Sequence, residues 1–267
     1  MAFTTFIDNL ALVEVLLLLA ATIFAYGGVL SYFAVRNNDP KGLRSVLRGM
    51  AVPLGGIGVI TTVLALWGEM TWPFLPSDGM AGYNIFFFDA LVLFGIVLLA
   101  YAVSAYLSVR LQYVGLLALV VGGVTAFYGW TGYTANPAFT KDPLDTLLLY
   151  LGFGAAGVFA FPATVVVDYY LAATDAARAP FSSTKWIGRF GLRHLGSRGV
   201  QPVIAGRLER APTQTEDASP PQYHVPIWAQ TLLLLFPVFM GLAAIAALWY
   251  FGVTLPGHLG AGPGAAP

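Results

Sequence analysis

Six apolar runs, each long enough to cross a bilayer, decide what this chain can fold into. A spanning helix needs about 20 mostly apolar residues. The runs Leu10–Val35, Ser45–Trp67, Tyr83–Tyr106, Tyr113–Tyr133, Leu144–Tyr170 and Ile227–Leu255 all reach that length. Inside hydrocarbon every backbone N–H and C=O must be paired within the protein, which leaves helices or closed barrels. These runs are rich in Ala, Leu and Gly and lack the period-two alternation of barrel strands. The expected fold is therefore an all-α integral membrane protein, a bundle of six transmembrane helices. Composition supports this: 58% of the 267 residues are hydrophobic and 10% charged, against about 25% charged in a soluble domain. An ordinary water-soluble enzyme is excluded. No basic residue precedes Arg36 and no short apolar core leads to a cleavage site, so the first run reads as a retained helix.

Loop charge sets the expected orientation. Arg36, Lys41, Arg44 and Arg48 flank the first connection, Arg110 sits in the third, and Arg178 to Arg210 contribute seven more to the fifth. These connections lie on one side and hold every basic residue except Lys141. Basic loops stay cytoplasmic, which places both termini outside a multi-pass protein of the plasma (cytoplasmic) membrane. Opposite loops carry Glu69, Asp78, Asp142 and Asp145. Trp67, Trp72, Tyr83, Trp130, Tyr133, Trp249 and Tyr250 gather at the same outer level and read as an aromatic belt. Thirteen basic and thirteen acidic residues cancel, so net charge points to no nucleic acid.

Domain organisation follows: a five-span bundle over 1–170, a basic cytoplasmic connection over 171–226, the sixth helix over 227–255 and a disordered tail over 256–267. Within the connection, Lys185, Arg189 and Arg193 share one helical face with Trp186, Ile187 and Phe190 beside them. Such a helix lies in the inner interface on anionic membrane lipid, or docks a soluble or neighbouring subunit. Residues 211–221 are polar and proline-rich, the composition of a flexible linker.

Small residues set the expected packing. Gly115, Gly122 and Gly129 form a seam on the fourth span. Gly55 and Thr62 form one on the second, with Arg48 and Glu69 continuing the same line at its ends. On the first span Ala21, Ala25 and Gly28 follow Glu14. Pro53, Pro162 and Pro237 each remove a backbone donor and should bend their helices. Gly152, Gly154 and Gly157 match the spacing of a dinucleotide-binding loop. That match is rejected, because it lies mid-span with no preceding strand. No internal repeat of the transporter kind is visible.

Chemistry rests on a few acids. Charged groups inside a span are costly and face the bundle interior. Glu14, Glu69 and Asp89 all fall near the outer ends of their spans, and with Trp72, Tyr83 and Asn84 they could form an outward polar pocket. Close carboxyl groups of that kind suit proton or cation handling; alternatively each acid fixes helix register. Asp168, at the inner end of the fifth span, is expected to pair with Arg48 or Arg110. His194, His224 and His258 lie outside the spans and cysteine is absent, so no cofactor and no metal site is expected in the bundle.

The segments Gly68–Pro73 (GEMTWP), Tyr83-Asn84-Ile85 and Phe88-Asp89, with Tyr113-Val114-Gly115, Tyr128-Gly129 and Gly132-Tyr133 further on, resemble an uncharacterised family of prokaryotic integral membrane proteins, a domain of unknown function. The resemblance covers about residues 10–170 and implies the membrane class, with no catalytic residues to carry over. It places Glu69 and Asp89 in motif-like segments.

Sequence alone favours a cofactor-free subunit of a larger membrane complex, a respiratory one included, with no catalytic centre of its own. Its expected partners are membrane lipids, other subunits and quinone. The alternative is a small-solute transporter or channel coupled to protons or cations through Glu14, Glu69 and Asp89. A third reading is an intramembrane enzyme acting on lipid or quinone.

Overall fold

The computed structural model describes residues 9–71, 84–135, 143–178 and 225–260. The basic helix expected around Lys185, Trp186, Arg189, Phe190 and Arg193 lies outside the described residues, as does the proline-rich linker. Six helices follow in order: α1 (Asn9–Arg36), α2 (Pro40–Thr71), α3 (Ala90–Leu107), α4 (Gln112–Ala135), α5 (Pro143–Arg178) and α6 (Ile227–Gly260). A π-helical turn, Asn84–Asp89, leads directly into α3. No strand occurs among the described residues. All six helices are long and apolar enough to cross a membrane, the architecture of a multi-pass membrane protein.

The helices overshoot the apolar runs. α5 continues to Arg178 and α6 to Gly260, past the expected ends at Tyr170 and Leu255, because each added residue gains a hydrogen bond once a helix exists. The turn from α1 to α2 shows how such an end is made. Asn38 takes the left-handed conformation (φ 55°) that closes a helix. Asp39 accepts the Gly42 N–H at 2.9 Å, with Pro40 at the first helical position where its missing donor costs nothing. Buried Tyr170 of α5 donates to the Asn38 side chain at 3.2 Å, fixing the turn to the bundle.

Packing runs in a closed ring in chain order: each helix lies against the next, and α6 returns to α1. The α4–α5 pair is the most extensive neighbour contact and α3–α4 the thinnest. Glycines make the close approaches. A Cβ on Gly122 would stand 2.6 Å from the Gly154 carbonyl oxygen and 2.9 Å from the Gly157 Cα. The expected α4 seam is thus the α4–α5 interface. The segment 152–157 supplies its other half, Gly154 and Gly157, while Gly152 faces Ala243 of α6. On α2 the expected line faces α3 throughout. Arg48 donates to Ser108 at 2.8 Å, Gly55 meets Ala102 and Thr62 meets Gly95. Gly58 joins them, packed on Leu98.

Each of α2, α5 and α6 stays one helix through its proline. Pro237 seats against Gly28 of α1, where a Cβ would lie 2.8 Å from the proline Cβ. Of the residues expected in the aromatic belt, Trp67, Trp130, Tyr133 and Trp249 are exposed. Tyr250 departs from it: it is buried and faces the bundle interior, because its helical face looks at α5 and not at lipid. Exposed Tyr106, Tyr113, Tyr169 and Trp228 form a second belt at the opposite end, as amphipathic rings do at both interfaces.

Candidate functional site

At the end of the bundle where α2 stops and α3 starts, the α2 line terminates in Glu69. Asp89 stands where the π-helical turn becomes α3. A carboxylate there could cap the helix, but Asp89 makes no side-chain capping bond. Its Oδ2 instead accepts the Tyr128 hydroxyl of α4 at 3.0 Å. Glu69 lies beside the same carboxyl group, and its Oε1 is buried with no hydrogen-bond partner among the described residues. Ionised carboxylates are acceptors only. Two carboxyl groups set side by side repel each other unless one of them holds a proton. The arrangement Glu69–Asp89–Tyr128 joins three helices through groups that can all carry or release a proton.

Just inside this cluster lies a small pocket. Glu14 (5% exposed), Tyr150, Tyr250 and Thr125 contribute its polar atoms among apolar walls that include Phe87 and Phe153. Tyr150 donates to the Phe86 carbonyl at 2.6 Å and stacks on the Phe86 ring at 4.6 Å. The π-helical turn makes this possible: its wider winding perturbs the regular carbonyl pattern and presents Phe86 to α5.

Of the expected outer pocket, the structure brings Glu69 and Asp89 together and adds Tyr128. Glu14 lies on the cavity wall. Trp72 and Tyr83 lie outside the described residues, and Asn84 is described in its backbone alone, as the first residue of the π turn. Tyr128 and Tyr150 carry no role in the sequence reading. Tyr128 falls in a motif-like segment, a usable signal, whereas Tyr150 sits in an apolar run with nothing to mark it.

At the opposite end Asp168 has backbone partners besides the arginine expected for it. Its two carboxylate oxygens accept the backbone N–H groups of Leu111 (3.1 Å) and Gln112 (2.8 Å), so it caps the start of α4 from another helix. A helix N-terminus offers unpaired donors and a partial positive charge, and these hold the acid. Arg48 turns to Ser108, while Arg110 is close enough for its charge to act on Asp168. The salt bridge found at this end, among the described residues, joins Arg44 and Asp175. Asp175 was read as part of the basic connection and given no role.

Among the described residues no three His, Cys, Asp or Glu side chains come together as a metal cluster. No curated protein and no solved structure matches this chain. A family model does match, over residues 1–177, and it leaves α6 and the basic connection beyond its end. The motif segments that carry Glu69, Asp89 and Tyr128 all lie within the matched part, and the chain belongs to that family, the proteins of unknown function DUF981.

Proposed function

We propose that this chain is a small proton-coupled membrane transporter, with Glu69, Asp89 and Tyr128 as the groups that hold and pass the proton. The observation that carries this reading is the Asp89 carboxyl group, bonded by the Tyr128 hydroxyl and set beside Glu69, whose Oε1 is buried with no hydrogen-bond partner among the described residues. The cluster stands on the outer side if the basic loops are cytoplasmic, with both termini outside and the protein in the cytoplasmic membrane. A water-filled cation channel fits less well, because the interior beyond this layer is walled by apolar side chains and apolar cavities stay dry.

Liposomes reconstituted with the full chain and loaded with a pH-sensitive dye test this. Proton uptake under an imposed membrane potential is expected to fall at least tenfold in Asp89→Asn. Thermal unfolding in detergent should stay close to that of the parent, since asparagine still accepts from Tyr128. Unchanged uptake removes the reading.

A second reading, the subunit of a larger membrane complex, respiratory and quinone-contacting complexes included, has its own support. Gly49 and Gly56 lie seven residues apart on the outward face of α2, with nothing within 4 Å of either position. Exposed glycines at that spacing admit a partner helix closely. Native mass analysis after mild extraction should then find a co-purifying membrane subunit that Gly56→Leu displaces. A lone monomer or homodimer counts against it.

A further inference from the structure

A second, larger pocket lies along the bundle axis and is lined by all six helices. On α4 its wall runs from Leu111 to Thr125, and on α5 from Phe153 to Val167. Each stretch is about 21 Å at 1.5 Å per residue, some two-thirds of a hydrocarbon core of about 30 Å. The chamber is therefore long and narrow. Small residues, Ala118 on α4 and Ala160 and Ala163 on α5, are among its lining.

Its walls are mostly apolar. Four hydroxyls line it, those of Ser31, Tyr101, Thr125 and Thr164, and three of them donate to backbone carbonyls: Ser31 to Gly27 (2.8 Å), Tyr101 to Leu47 (3.3 Å) and Thr164 to Phe161 (2.8 Å). Empty space of this extent forfeits dispersion contacts along its whole lining, and an apolar occupant restores them. Phe94 and Phe153 line both this chamber and the smaller one above it. Their edge-to-face contact at 5.3 Å forms a neck between the apolar chamber and the cavity holding Glu14.

The ring is thinnest between α3 and α4, where Val97, Ala118 and Val121 form a small apolar cluster with Leu93, Leu117 and Ala160 packed against it.

We propose that the chamber holds a single apolar chain, acyl or isoprenoid, taken from the bilayer between α3 and α4. The proposal goes beyond the proton reading and does not depend on it, since none of Glu69, Asp89 and Tyr128 lines the chamber.

The test uses the full chain in phosphatidylcholine vesicles with palmitate carrying a mid-chain photoactivatable diazirine, and in parallel a diazirine-bearing farnesol. Crosslinks are mapped to residues. Expected is labelling of inward-facing Ala118, Ala160 and Ala163 that excess unlabelled probe abolishes, beside non-saturable labelling of lipid-facing Val103 and Val120. Whichever unlabelled chain competes names the source, acyl or isoprenoid. Ala118→Phe, which fills the chamber, should cut the internal labelling at least tenfold and leave Val103 and Val120 unchanged. Labelling confined to the lipid-facing residues overturns the proposal, as does internal labelling that competitor does not reduce. If Ala118→Phe fails to fold, competition on the parent chain still decides between these outcomes.

Discussion

Replacing Gly122 by alanine is expected to destabilise the bundle by about 3 kcal/mol, the upper end of the usual overpacking range. The new methyl would lie 2.6 Å from the Gly154 carbonyl oxygen and 2.9 Å from the Gly157 Cα. Both neighbours are backbone, so no side chain can rotate away and α4 must move off α5. Gly123→Ala is the control on the next residue: nothing lies within 4 Å of that position, and alanine there should be neutral or stabilising by up to about 1 kcal/mol. Unfolding in mixed micelles with increasing denaturing detergent measures both. Gly157→Ala should match Gly122→Ala in cost. The double substitution should cost well under the sum, since residues in one contact are not additive. Equal stability of Gly122→Ala and Gly123→Ala would refute the packing assigned to this interface.

The second large effect is expected at Asp168. Removing its carboxylate in Asp168→Ala leaves two backbone donors of α4 without an acceptor. Hydrogen bonds to charged groups contribute about 1.5–3 kcal/mol each, and two bonds to one carboxylate share a helix terminus, so a loss of about 3 kcal/mol is expected. Asp168→Asn keeps one oxygen and should lose about half as much. Arg48→Ala removes an exposed contact to Ser108 and should stay within about 1 kcal/mol of the parent. The three-way order separates capping from ion pairing. If Asp168 acted chiefly through Arg48, the arginine and aspartate variants would be equally unstable. Hydrogen exchange adds a local readout: the Leu111 and Gln112 amides should exchange faster in Asp168→Ala, and unchanged rates there would sink the capping role.

The amino-acid sequence by itself determined the membrane class, the six spans and much of the helix-facing pattern. These are properties of periodicity. A residue every seven positions stays on one helical face, so the line Arg48, Gly55, Thr62, Glu69 could be drawn before its partner was known, and all four turn out to meet α3. The seam Gly115, Gly122, Gly129 was legible for the same reason, and so was the choice of Glu69 and Asp89 as groups too costly to bury without cause.

Only the tertiary structure decided which helix each face meets, because that depends on the order of helices around the ring and not on any one segment's pattern. It gave Asp168 to the α4 terminus, where two backbone donors meet its carboxylate. It brought Tyr128 to Asp89 and Tyr150 to the Phe86 carbonyl across 39 and 64 residues of sequence. It moved Tyr250 from the expected aromatic belt to a cavity wall that Glu14 also lines. The axial chamber is the furthest from sequence of all: it is space left where six apolar faces fail to fill the centre, and no residue type records a void.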